Sequence, residues 1–322
     1  MSVSFKLAPV GDYWANNENR WNIELGRHRH KQLLINHAAI GMNLDEGYNN
    51  FENEHGGERI ESILAYIMKT ARIGIPLKEM IEADIVCRRG LLRNLSINKY
   101  TGHYINFYAV RHRGVIFLCE DKDFGGAPDK LRRAMYHTLK FENVMTVPQS
   151  RDITASRKEA TKMVIRGCLE KEGAESIRLF YAADIDCLDI YGSPVEFKSI
   201  SKPLETGWDK NRTMAWYMQC FFASVNTIVV GERQRSRLRT VRHYRKSIKT
   251  MNVEAFYTHR NHSWTRESCI EQLYGTLSFV KHHMSLDGMA LKFSVINGTN
   301  YLATTQYGEY IVPQNFLRVF PF

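Results

Sequence analysis

Proline is scarce in this chain, with 8 in 322 residues, and nowhere does it gather with glycine and serine into a linker. With no such break, no internal repeat and no low-complexity block, the sequence is read as one domain over 1–322. Cysteine is sparse too. The six copies (Cys87, Cys119, Cys168, Cys187, Cys220 and Cys269) stand singly, with no C-x-x-C pair and no histidine at zinc spacing. That excludes a zinc module and a disulfide framework, and suits a reducing compartment. Long apolar runs are missing as well. The longest, 215–230, is interrupted by Gln219 and Asn226 and falls short of a bilayer span. The opening MSVSFKLAPVGDYW lacks the uninterrupted apolar stretch of a signal peptide. The expectation is an intracellular soluble protein, nuclear or cytoplasmic, with no membrane partner.

What is present is an ordinary globular composition with a basic excess. Lys and Arg number 44 against 34 Asp and Glu, and the net charge of +10 favours a polyanionic partner, nucleic acid first. Hydrophobic spacing predicts helices over 57–72, 129–145, 155–170, 214–225 and 267–283. Strands are expected over 82–90, entering a turn at Gly90, and in a hairpin of YINFYAV and VIFLCE around RHRG. A second hairpin turns on Asn297-Gly298, a preferred type I′ pair. Residues 1–55 read as polar and partly irregular. Helices and hairpins alternate without a fixed order, which predicts an α/β fold of mixed β-sheets flanked by helices.

The informative stretch is DIDCLDIYGSPVEFK, residues 184–198. Strand alternation puts Asp184 and Asp186 on one side, and Glu196 and Lys198 on one side of the returning strand. If IYGSP turns the chain back, all four groups converge. Three ionised carboxylates crowded together repel one another unless a cation neutralises them. Hard oxygen ligands of this kind suit Mg2+ or Mn2+ rather than zinc. A structural salt-bridge cluster at a strand end is the competing account. Two further polar residues sit where apolar ones are expected. Glu142 shares a helix face with Leu131, Met135 and Leu139, and Gln219 lies in an otherwise apolar helix, where a buried amide needs partners. In GERQRSRLRTVRHYRKSIKT (231–250), eight Lys and Arg fall within twenty residues. Arg233, Arg235, Arg237 and Arg239 alternate, and in a strand they form a cationic stripe able to follow an RNA backbone. A solvated arginine-rich loop is the alternative there. Asp123-Phe124-Gly125 copies a kinase triplet without the accompanying catalytic or glycine-rich loop, and is set aside.

Taken together and in order, ADIVCRRGLLRNL, RRAMYHTLKFENVM, DIDCLD, VEFKS and WYMQCFFASVNTIVVGER resemble the DXO decapping exoribonuclease family, with its PD-(D/E)xK-like nuclease core. The resemblance spans roughly 82–285. It implies a hydrolase of RNA 5′ ends that removes incomplete or NAD-type caps, releases 5′ pyrophosphate, or degrades RNA 5′ to 3′. It implies that Asp184, Asp186, Glu196 and the Phe197 carbonyl hold metal, with Glu142 joining directly or through water, and that Mg2+ or Mn2+ binds as two ions. Lys198 and Gln219 would position water and the scissile phosphate, and Arg89 a phosphate near the 5′ end. The other reading the family allows is a non-catalytic RNA-binding scaffold that partners a larger 5′–3′ exoribonuclease. Two positions depart from the family pattern. Asp184 stands where a glutamate is usual, one methylene longer, and Thr138 stands where a glycine precedes the helical glutamate.

Overall fold

The structure, a computed structural model, describes residues 2–35, 42–51, 59–121, 128–147, 158–200, 210–234, 237–241, 264–304 and 311–320. In chain order its strands are β1 (Val3–Asn16), β2 (Ile23–Leu25), β3 (Gln32–Leu33), β4 (Ile85–Arg88), β5 (Ile105–His112), β6 (Val115–Glu120), β7 (Thr146–Val147) and β8 (Glu159–Lys171). They continue as β9 (Ile177–Asp184), β10 (Cys187–Leu188), β11 (Pro194–Ile200), β12 (Thr227–Gln234), β13 (Arg237–Val241), β14 (Ala290–Ile296) and β15 (Thr299–Thr304). The helices are α1 (Glu61–Lys69), α2 (Leu77–Ile81), α3 (Arg89–Thr101), α4 (Asp129–Val144), α5 (Lys210–Phe221), α6 (Arg266–His283) and α7 (Gln314–Val319).

Two mixed sheets form, as expected. The larger runs β15-β14-β5-β6-β4-β9-β8-β1-β2 and the smaller β13-β12-β11-β10-β3-β7. One core joins the first sheet to α3, α5 and α6 through Leu91, Leu95, Tyr217, Met218, Leu273 and Leu277. A second covers the opposite face with α1, α2 and α7. Strands buried on both faces read as continuous apolar runs, and IRLFYAAD in β9 does so. The smaller sheet is closed by α4, whose Phe141 meets Phe197 edge-on at 5.6 Å between ring centroids. Gly231 on β12 permits that contact, because a Cβ there would lie 2.8 Å from the Phe141 ring. Among the described residues no helix is long and apolar enough to cross a membrane.

Several expectations fail, for physical reasons. Residues 155–170, expected helical, lie largely in β8, which pairs with β1 on one side and β9 on the other. The helix-forming residues at its start are overruled by two long ladders. Residues 3–16, within the stretch expected to be irregular, form a 14-residue strand. Its alternation is obscured by a bulge between Pro9 and Gly11. Arg89, expected at a strand end, opens α3 instead. Leu131 is exposed, so the buried face of α4 starts further along, at Tyr136, Leu139 and Phe141. The segment carrying the arginine stripe makes the hairpin β12–β13, but the stripe's side chains lie outside the described residues, as does the Asp123-Phe124-Gly125 triplet.

The register that matters for the site is β4 against β9, and Asp84 pins it. This buried carboxylate accepts the Arg178 backbone N–H at 3.0 Å and its guanidinium at 3.3 Å, with Lys78 at 3.3 Å and Lys281 at 3.8 Å. Burial pushes the Asp84 carboxyl up, but the Arg178 hydrogen bonds and the Lys281 and Arg178 charges outweigh it and hold it below the ordinary value. A depressed folded value means the contribution is complete above the unfolded value of about 3.9 and is lost as pH falls through the folded one. Asp84→Asn is therefore expected to lower unfolding stability by roughly 1–3 kcal/mol at pH 7. The gap to the native protein should begin to narrow below about pH 4 and close once pH has fallen through the folded value, where Asp84 is protonated in both states. Denaturant titrations at the two pH values measure it, and equal stabilities at pH 7 contradict the assignment.

Candidate active site

Three local structures deliver the candidate side chains. β4 and β9 run parallel with Arg88 opposite Ala182, so the C-terminal end of β4 sets Arg88 and Arg89 beside Asp184. Ligands favour this end of parallel strands. The chain leaves β9 and returns through the turn at Asp189–Ser193, and β10 pairs antiparallel with β11, Cys187 opposite Val195. That register puts Asp186 across from Glu196. β11 then pairs parallel with β12, which requires a crossover, and the crossover is α5 with Gln219.

Glu196 lies at the centre. Only 4% of it is exposed, and its carboxylate is surrounded by donors. Lys198 Nζ and Gln219 Nε2 each donate to Oε1 at 2.5 Å, and Arg89 Nη1 stands 3.8 Å from Oε2. Gln219 in turn accepts Arg93 Nη1 on its side-chain oxygen at 3.2 Å, while Arg89 donates to its backbone carbonyl at 3.3 Å. Arg93 also donates to Asn94 Oδ1, and Asn94 donates to Glu120 at 3.1 Å. The expected partners of the Gln219 amide are thus both present. Arg93 donates in two directions, to Asn94 and to Gln219, and Gln219 donates on to Glu196.

The two aspartates of the DID run experience opposite fields. Burial pushes the Asp186 carboxyl up, and the neighbouring Glu196 and Glu142 carboxylates push it further, well above the usual carboxylate range. Lys198 and the Phe197 N–H, which donates to Oδ2 at 2.7 Å, oppose this without balancing it. Burial raises Asp184 as well, but Lys162, Arg88 and Arg89 outweigh burial and hold it below the ordinary value. Lys162 donates to Asp184 Oδ1, and Arg88 Nη2 stands 3.5 Å from Oδ2.

The carboxylates of Glu142, Asp186 and Glu196 are a hard-oxygen set in which the nearby cations are spent on Glu196 rather than on Asp186, which suits a divalent cation. Among the described residues, no three His, Cys, Asp or Glu side chains are closed around a common point. Glu196 is instead drawn to Lys198 and Gln219, and Asp184 to Lys162. The structure brings together Arg89, Asp186, Glu196, Lys198 and Gln219, with the Glu142 charge acting on Asp186, and with Asp184 engaged by Lys162 and Arg88. Thr138 bonds its hydroxyl back to the Ala134 carbonyl at 3.1 Å, within its own helix. Sequence reasoning missed three cations. Arg88 adjoins Arg89 and was open to notice. Arg93 needed α3 to be predicted, and Lys162 needed β8 to be read as a strand.

An acid pair and a Glu-x-Lys on neighbouring strands, flanked by a helical glutamate, define a nuclease core of the PD-(D/E)XK type. The chain belongs to the RAI1-like PD-(D/E)XK nuclease family, whose sequence model matches residues 8–317. It is similar to the decapping nuclease dom-3 of Caenorhabditis elegans, 28% identical over 306 residues, which cover 87% of this chain and 74% of that protein. In fold it is similar to Rai1 of Scheffersomyces stipitis in complex with (3′-NADP)+ and calcium ion, with a TM-score of 0.75 and 14% identity, covering 98% of this chain and 96% of that one. It is likewise similar to Candida albicans Rai1 in complex with pU5-Mn2+, with a TM-score of 0.73 and 16% identity, covering 99% and 96% of the two chains. The chain is accordingly a nuclease, an RNA-processing hydrolase.

The Arg93 contact generates a test. Arg93→Met removes the donor that fixes the amide of the candidate residue Gln219, so nuclease turnover is expected to fall about 10- to 100-fold, the loss typical of an outer partner that orients a site residue. Arg93→Lys keeps a donor and should lose less. Turnover measured beside a thermal melt separates misorientation from unfolding. Full activity in a folded Arg93→Met would show that the amide orients itself.

Proposed function

We propose that this chain is a divalent-metal-dependent hydrolase of RNA 5′ ends, removing incomplete or NAD-type caps, hydrolysing 5′ pyrophosphate, or degrading RNA 5′ to 3′, and that 1–322 is a single catalytic domain. The observation that carries the reading is the charge deficit at Asp186, set inside a rim of Arg88, Arg89 and Lys198. Acid at the centre and base at the edge suits a metal ion and a phosphate respectively. Relatives carrying calcium or manganese with a nucleotide ligand support it.

Glu142, Asp186 and Glu196, with the Phe197 carbonyl, would hold Mg2+ or Mn2+. Asp184 is the remaining expected ligand, and its engagement with Lys162 bears on how many ions bind. A metal so held polarises a phosphoryl oxygen and lowers the pKa of bound water. The chain's own contribution is placement. Lys198 sits against Glu196, where it can neutralise a phosphate oxygen as charge builds. Gln219, locked by Arg93, offers an amide of fixed orientation. Arg89 opens α3 with Arg88 as its N-cap and no acid in the first turn, so unpaired helix N–H groups and two guanidiniums meet at one place. Such a place favours a 5′ phosphate. The basic excess serves the RNA body beyond it. We place the protein inside the cell, in the nucleus or cytoplasm, where capped RNA resides.

One observation favours the non-catalytic scaffold reading, with an exoribonuclease as partner: Asp184 is already neutralised by the chain itself. The two readings separate on activity. With Mg2+ or Mn2+, the native protein is expected to release product from 5′-monophosphate, triphosphate, unmethylated-cap or NAD-capped RNA. Asp186→Asn and Glu196→Gln should each lower hydrolysis by more than the roughly 10- to 100-fold that an outer partner costs, while RNA binding stays measurable. Unchanged turnover in either variant, or no product from native protein on any of the four RNAs, would overturn the enzymatic reading.

A further inference from the structure

We propose that Lys162 takes the place of one of two cations at this site, so that a single divalent ion binds per chain, among Glu142, Asp186 and Glu196. The inference rests on the metal-dependent reading above and concerns how many ions it involves. Lys162 lies directly opposite Asp184 in the antiparallel β8–β9 pair, and both side chains leave the same face of the sheet. Across β8's other edge its register partner is Tyr13, fully buried. The Lys162 side chain is 2% exposed. An ammonium at that depth needs a standing counter-charge, and breaking such a pair leaves an uncompensated buried charge.

Asp184 supplies that counter-charge with both of its oxygens already occupied. Oδ1 accepts from Lys162, and Oδ2 faces Arg88 at 3.5 Å. A metal ion on Oδ1 would have to stand where the ammonium stands, and one on Oδ2 would meet the Arg88 guanidinium. Two-metal sites place their ions about 3.5–4 Å apart, within the reach of direct repulsion by a fixed ammonium on the shared carboxylate. Asp186, two residues on and facing the other strand pair, has the opposite surroundings, with Glu142 and Glu196 as neighbours and one backbone N–H as donor. The DID run is therefore divided. Its first acid is served by the chain's own cations and its second waits for an external one. The shorter side chain of Asp184 fits this division, because it keeps the carboxylate close to β8.

Counting ions tests the proposal without reference to activity. Native protein is titrated with Mn2+ alone, and free Mn2+ is read by electron paramagnetic resonance. One tight ion per chain is expected. Lys162→Met, which vacates the ammonium's place beside a half-buried carboxylate, is expected to bind a second ion. Because single removal of either partner can unfold a chain, the paired variant Lys162→Met with Asp184→Asn removes both charges, and should bind one ion with a Kd within about threefold of native. Two tight ions in native protein, or a tenfold weaker Kd in the paired variant, would overturn the proposal. If native protein binds no Mn2+ and Asp186→Asn makes no difference, the metal-dependent reading itself fails instead.

Discussion

The site depends on one buried carboxylate. Glu196 is held out of water where two sheets and two helices meet, a location costly for an unpaired charge. Lys198, Gln219 and Arg89 converge on it, and each comes from a different element: the same strand, the crossover helix and the helix after β4. None of these can move far without leaving that charge uncompensated. The interaction that balances Glu196 therefore also fixes the positions of the residues proposed to handle phosphate.

Neutralising Glu196 consumes the nearby cations and leaves Asp186 short of them. This asymmetry links structure to function. A salt-bridge cluster built for stability would pair its acids evenly, and Asp184 with Lys162 and Arg88 is paired in just that way. Asp186, flanked by Glu142 and Glu196, is not. The metal requirement proposed here thus follows from where the chain withholds positive charge as much as from where it places acids.

The sequence was legible where the chain folds locally. DIDCLD and VEFK are separated by a tight turn, so alternation alone brought Asp186 and Glu196 face to face, and the hairpin register bears that out. The hairpin at Asn297-Gly298 was equally plain, since both residues adopt positive φ. Long-range pairing was not legible. β8 meets β1 across some 150 residues of sequence, and its opening residues favour helix when read alone. Misreading β8 hid Lys162, and with it the fate of Asp184. Reading 82–90 as a strand and turn hid α3, and with it Arg93. The missing residues were those whose partners are supplied by distant strands or by a helix that begins without a strong N-terminal signal.

The most direct test of the account is the melting temperature of metal-free protein at neutral pH, with and without saturating Mn2+, for native protein and for Asp186→Asn. A repelled carboxylate destabilises the fold until a cation arrives, and a ligand at about 100 times its Kd contributes about 2.7 kcal/mol. Metal-free Asp186→Asn should therefore melt above metal-free native protein. Mn2+ should raise the native value by several degrees and leave the variant nearly unmoved. A native protein indifferent to Mn2+, or a variant stabilised by it equally, would contradict the claim that Asp186 is the acid that waits for a metal.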